Sequence, residues 1–133
     1  MPYDADSIRP SGIRRKLIMT PSIAVETAGD YVGAYFPHGA TLRGIWFVPT
    51  VAVGTADCAI DIGIAQNGDT IIDGYVLATS GSAAGTGVDV FQTKGTNGGV
   101  LVLAAGATVW IQSDGGSTGG TGHFVIEYED RNN

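Results

Sequence analysis

Thiol chemistry is nearly absent from this chain: Cys58 is its one cysteine, which excludes an intrachain disulfide and a four-thiolate zinc site and leaves the redox compartment open. Histidine is almost as scarce, with His38 and His123 the 2 present. Helix-forming segments are missing as well. Glu, Lys, Gln and Leu are sparse, and no segment of about 10–15 residues repeats apolar side chains at helical spacing. That disfavours an α/β architecture, whose crossovers need such segments. No apolar run approaches the roughly 18 residues of a membrane-spanning helix. The run Leu17-Ile18-Met19 is broken at once by Thr20 and Pro21, so no secretion signal is expected.

Positive charge is in short supply and unevenly placed. Lys and Arg number 7 against 13 Asp and Glu, for a net charge of −6. Arg9, Arg14, Arg15 and Lys16 crowd the start of the chain beside Asp4 and Asp6, while the remainder has only Arg43, Lys94 and Arg131 against all the other acids. An acidic body repels a phosphate backbone, which argues against nucleic acid as a partner. The basic start suits either a solvated tail or an arm touching an acidic protein surface.

What is abundant is glycine, 21 residues of 133, in a chain that is still 44% hydrophobic. Glycine supplies the positive-φ positions of tight turns, and the accompanying Val, Ile and Thr favour strands. Residues 1–12 read as a polar, extended arm. Residues 13–18 and 22–27 read as edge strands, and Gly29-Asp30 as a turn into a strand over 31–36 that Pro37 ends. In residues 41–48, Leu42, Trp46 and Val48 are expected on one face and Ile45 and Phe47 on the other. Bulk on both faces predicts a strand that packs on its own sheet partner and is also covered by an arm or a neighbouring subunit. Pro49 predicts an edge, a bulge or a strand end.

Residues 58–65 alternate, with Cys58, Ile60, Ile62 and Ile64 on one face, and an Asn67-Gly68 turn returns the chain over 70–77. Residues 78–87 read as a small polar loop. Short strands follow at 87–93, 99–103, 108–113 and 122–128, the last two joined by a flexible glycine-rich linker. Roughly eight to ten strands in about 120 residues predict an all-β fold, an antiparallel β-sandwich of jelly-roll type. Residues 1–18 would be the arm and first edge strand, and 19–133 a single domain.

No constellation rises to a catalytic signal. His38 lies in a turn, and His123 shares a polar strand face with Val125, Glu127 and Glu129. Asp57 and Asp61, like Asp69 and Asp73, are spaced four apart, which on a strand separates same-face carboxylates by about 13 Å, too far to share one ion. Asp61 and Asp73 could meet across the hairpin. Cys58 sits on an isoleucine face as a small hydrophobe. The segments 81–86 and 115–122 are glycine-rich but lack the lysine and helix of a phosphate loop. Trp46, Trp110, Phe47, Tyr31 and Tyr35 serve core packing or subunit burial, or alternatively form an aromatic platform for sugar.

The stretch Tyr35-Phe-Pro-His-Gly-Ala-Thr-Leu42, the hairpin 58–77, Leu103-Ala-Ala-Gly-Ala-Thr-Val-Trp-Ile-Gln-Ser-Asp-Gly-Gly116 and Gly122-His-Phe-Val-Ile-Glu-Tyr128 resemble the small jelly-roll decoration, or cement, proteins of tailed bacteriophage capsids. The resemblance implies a non-enzymatic virion protein on the outer surface of the capsid. It implies a homotrimer that bridges major capsid proteins at local three-fold positions, with no cofactor, nucleic acid or membrane involved. Arg9, Arg14, Arg15 and Lys16 become candidates for pairing with acids on the shell, and the strand pattern adds Ile45 and Phe47 as candidate capsid or subunit contacts. Two other readings stand beside it. One is a carbohydrate- or receptor-binding β-sandwich of a phage fibre or lectin, marked by an exposed Trp or Tyr beside Asp or Asn. The other is a small hydrolase, which needs Cys58 beside His38 or His123.

Overall fold

The computed structural model describes residues 15–78, 82–91 and 102–130, so Arg9, Arg14, the predicted arm over 1–12, residues 92–93 of the predicted strand over 87–93 and residues 99–101 of that over 99–103 lie outside the described residues. Among those described there are strands and turns but no helix. The strands are β1 (Arg15–Met19), β2 (Ile23–Ala24), β3 (Gly29–Phe36), β4 (Ala40–Val51), β5 (Cys58–Gly63), β6 (Ile72–Leu77), β7 (Val88–Asp89), β8 (Val102–Leu103), β9 (Ala107–Ser113) and β10 (Thr121–Asp130). They form two antiparallel sheets. One runs β1-β10-β4-β7, with β2 beside β10 and β8 beside β4, and the other runs β3-β9-β5-β6. The expected all-β sandwich is therefore present.

The core lies between the sheets because each long strand turns every second side chain inward. Phe124 and Ile126 of β10 meet Leu42, Ile45 and Phe47 of β4 from the first sheet, and Ile60, Ile62, Val109 and Ile111 close it from the second. Phe47 and Phe124 are tilted against each other with ring centroids 4.9 Å apart. Phe36 and Tyr128 make an edge-on contact at the same separation, 4.9 Å.

Bulges correct the predicted faces. In the β10–β4 pairing, Tyr128 stands opposite Leu42 and Glu127 opposite Gly44, so Arg43 is an extra residue. One inserted residue reverses the phase of everything beyond it. Leu42 therefore shares the inner face with Ile45 and Phe47, and only Trp46 and Val48 are left on the outside. A second irregularity, with Gly122 opposite Pro49 and Thr121 opposite Val51, meets the expectation of a bulge at this proline. At Gly33, a third sends both Val32 and Tyr35 outward although they are three residues apart.

Several boundaries also shift. The turn expected at Gly29-Asp30 sits earlier, closed by the Thr27 amide donating to the Ala24 carbonyl at 3.1 Å, and β3 starts at Gly29 itself. The Tyr31 hydroxyl is shared between the carbonyls of Ala24 and Thr27, 3.2 Å from each, which braces that turn. β5 stops at Gly63, so Ile64 leaves the isoleucine face and is 44% exposed. Asn67 takes φ 61 at the tip of the following loop, and β6 begins only at Ile72. Asp130, two residues beyond the predicted strand over 122–128, extends β10 opposite Ala40. The glycine-rich linker is tied down at its middle: the Thr55 amide donates to the Thr118 hydroxyl at 2.8 Å, and the Gly54 amide to the Gly119 carbonyl at 3.0 Å.

Candidate interaction surface

The outer face of the β1-β10-β4 sheet is built by alternation. β10 turns His123, Val125, Glu127 and Glu129 away from the core, and β1 aligns Met19 with Val125, Leu17 with Glu127 and Arg15 with Glu129. On the other side of β10, Trp46 stands beside Val125 and Val48 beside His123. Met19, Val125 and Trp46 thus make an apolar row across three strands. Gly44 has no side chain, and Trp46 fills the space left over it; a Cβ there would lie 2.5 Å from the indole. Leu17 is 67% and Met19 62% exposed, on an edge strand paired to β10 alone among the described residues. Exposed apolar residues that adjoin one another on an edge strand mark a contact surface, unlike single ones scattered over a protein.

Next to this row lies a charged one. The Arg43 guanidinium donates from Nε and Nη2 to the two carboxylate oxygens of Glu129, each at 3.0 Å. This two-pronged bond holds Glu129 below the usual carboxylate range and raises Arg43. Arg15 lies 3.8 Å from Glu127 and 3.7 Å from Glu129, and Lys16 Nζ is 3.2 Å from Asp130. Of the four basic candidates, the two that are described therefore have their nearest acids in their own chain. Ile45 and Phe47 are 0% exposed, inside the sandwich, and offer no surface to a partner. The bulk that the pattern assigned to them belongs to Trp46 outside and to the core inside.

The remaining candidates are dispersed. His123 donates from Nδ1 to the Thr20 carbonyl at 2.8 Å on the outer face of the first sheet. His38 is exposed at the β3–β4 turn, in a groove with Ile18, Tyr35 and Tyr128. Cys58 faces inward at the start of β5, where burial pushes its thiol up while the hydroxyls of Ser117 and Ser113 oppose the rise. No histidine joins it, so the pairing required of a hydrolase is not formed. Among the described residues no three His, Cys, Asp or Glu side chains gather as a metal site.

Asp61 does sit among acids. Partial burial raises its pKa, the Gly74 amide donating to its Oδ1 at 2.6 Å opposes this, and Asp73, Asp69 and Asp114 raise it further. A folded-state value above the unfolded one leaves stability untouched in acid, where Asp61 is protonated in both states, and lowers it as pH rises through the folded value. Asp61→Asn keeps an acceptor for Gly74 and removes the charge. It is expected to raise the melting temperature at pH 7 by roughly 1–3 °C, and the gain should vanish by about pH 3 in a pair of thermal melts.

Sequence reasoning missed Leu17 and Met19, although Arg15, Leu17 and Met19 alternate. The edge strand itself is as expected, but which of its faces is left uncovered is decided by its register on β10, more than a hundred residues away.

No protein-family model matches the chain, and no curated protein matches it in sequence. Among solved structures, it is similar to a chain of the cyanophage Pam1 capsid asymmetric unit, with a TM-score of 0.61 and 14% sequence identity over 97% of this chain and 99% of that one. At this identity the likeness is one of fold, and it runs from end to end of both chains.

Proposed function

We propose that this protein is a structural component of a phage virion, one that decorates and stabilises an icosahedral capsid by binding major capsid proteins as an oligomer on the outer surface. The observation that carries the reading is the full-length fold likeness to a chain of a cyanophage capsid, two proteins of matching extent with no inserted domain on either side. The order β1-β10-β4-β7 facing β3-β9-β5-β6 supports a jelly roll, with β2 continuing the β1 column and β8 the β7 column. In this reading residues 1–18 form the arm and edge that reach the shell, residues 19–133 form one domain, and the assembly is a homotrimer. It needs no cofactor and carries out no reaction. Stability comes from repetition, because many modest contacts on a lattice add up through avidity.

The test is to mix the purified protein with undecorated capsids of the same virus and follow uptake together with sedimentation of the free protein. Saturable uptake by an oligomer is expected; a monomer that never binds overturns the proposal. The double substitution Leu17→Asp with Met19→Asp changes only exposed side chains, so the melting temperature should move by less than about 3 °C. Uptake should fall at least about tenfold, since charge placed in an apolar contact is costly to bury. Unchanged uptake would move the contact off the β1 edge.

A further inference from the structure

We propose that the groove between the outer face of the other sheet, at β9, and the segment running from β8 into β9 binds a neutral sugar ring, with Trp110 as its stacking platform. The groove has a volume of about 470 Å³ and is lined by Ile64, Trp110, Thr108 and the chain from Val102 to Ala107. That volume lies within the range of small-molecule sites. No lining residue is charged. Of the described cations, Arg15 and Lys16 lie on β1 and Arg43 on β4, and none of them lines the groove to hold a phosphate or carboxylate; among the described residues no acid lines it to hold a metal.

The chemistry that remains is polar, uncharged and aromatic. Thr108, Trp110 and Gln112 all point outward from β9, and they place a hydroxyl, an indole and an amide along one line. Tyr35 stands opposite Thr108 on β3, is 58% exposed, and sets its hydroxyl 3.9 Å from where a Cβ on Gly106 would be, at the groove's rim. At the other end Gln112 Nε2 donates to Asn67 Oδ1 at 3.0 Å, and the Asn67 amide donates to Asp30 Oδ1 at 3.2 Å. A half-buried indole flanked by hydroxyls and amides matches a pyranose, whose C–H face is apolar and whose edge is ringed by hydroxyls. The groove is open to solvent, which suits one ring of a longer glycan better than a lipid tail that must be enclosed.

The chain has 2 tryptophans, so Trp46→Phe leaves Trp110 as the sole indole and its fluorescence reads this groove alone. The full chain would be screened on an array of neutral glycans ending in glucose, galactose, mannose or N-acetylglucosamine. Retained sugars would then be titrated to about 1 mM against the Trp46→Phe protein, covering even the weak end of specific affinities. At least one sugar should give a saturable change in emission. Trp110→Ala removes the reporting indole, so its binding is read as retention on the array, which should fall by at least about tenfold. Ile64→Lys, which alters an exposed loop residue and spares the sheets, should do the same, whereas Met19→Asp on the far sheet should not. Absence of any retained glycan, or binding that survives both groove variants, overturns the proposal. Capsid uptake is read separately and should be unaffected by Trp110→Ala, so failure of one reading leaves the other standing.

Discussion

Replacing Phe47 by alanine is expected to remove about 3–5 kcal/mol of folding stability and to lower the melting temperature by roughly 10–20 °C. The ring is fully buried and leans on Phe124 with centroids 4.9 Å apart, so its loss forfeits the transfer of an aromatic side chain from water and leaves a cavity between the sheets. Against a total stability of about 5–15 kcal/mol for a domain of this kind, that is enough to leave an appreciable fraction unfolded at 37 °C. Phe47→Leu, which keeps most of the volume, should cost less than half as much. Urea melts of the three proteins check this. The outcome also decides what Phe47 is for. If it were a subunit contact covered only on assembly, Phe47→Ala would leave the isolated chain as stable as before and would weaken association instead.

The contrast with Leu17 and Met19 shows how much of the molecule could be read in advance. Alternation exposed the strands, because a half-buried strand has to place apolar residues at every second position, and β5, β9 and β10 do so at the expected places. It failed where the chain inserts one residue. The extra Arg43 between Leu42 and Gly44 changes which of Leu42, Ile45 and Trp46 face inward, and no local propensity announces such an insertion. Bulk on both faces of residues 41–48 therefore resolves into an inner face of Leu42, Ile45 and Phe47, whose phase changes midway, and an outer face of Trp46 and Val48. Gly33 does the same in β3, and the outward pair Val32 and Tyr35 results.

Surface candidates were harder to read for a different reason. The edge strand at the start of the chain was legible, but whether Leu17 or Trp110 is exposed depends on which face of a sheet lacks a cover, and that is set by pairing across the whole chain. Charge was legible as composition but not as geometry: Arg15 and Lys16 are basic, yet only the register of β1 on β10 brings them to Glu127, Glu129 and Asp130. The glycine-rich linker shows the converse. Its composition predicts freedom, while Thr118 and Gly119 are bonded to Thr55 and Gly54.

The second bulge carries the other large effect, at a position where a single methyl group decides the outcome. A Cβ on Gly122 would overlap the Val48 carbonyl oxygen and stand 2.7 Å from the Cα of Pro49 and 3.0 Å from Cε1 of Phe47. The first two of these are backbone atoms, which cannot rotate aside, and the fixed φ of Pro49 removes the adjustment that β4 would otherwise make. Relief requires β10 to lift away from β4, and these two strands hold Phe124 and Phe47 together at the centre of the core. Gly122→Ala is therefore expected to cost more than about 2 kcal/mol, and Gly122→Val to yield insoluble protein. Gly87 is the control, because a Cβ there meets nothing closer than Val48 Cγ2 at 3.8 Å. Gly87→Ala should be neutral or stabilise by about 0.5 kcal/mol through a less flexible unfolded chain. Thermal melts of the two alanine variants side by side make the comparison, and a Gly122→Ala protein that melts with the wild type would mean that β10 and β4 do not approach each other here as closely as the bulge requires.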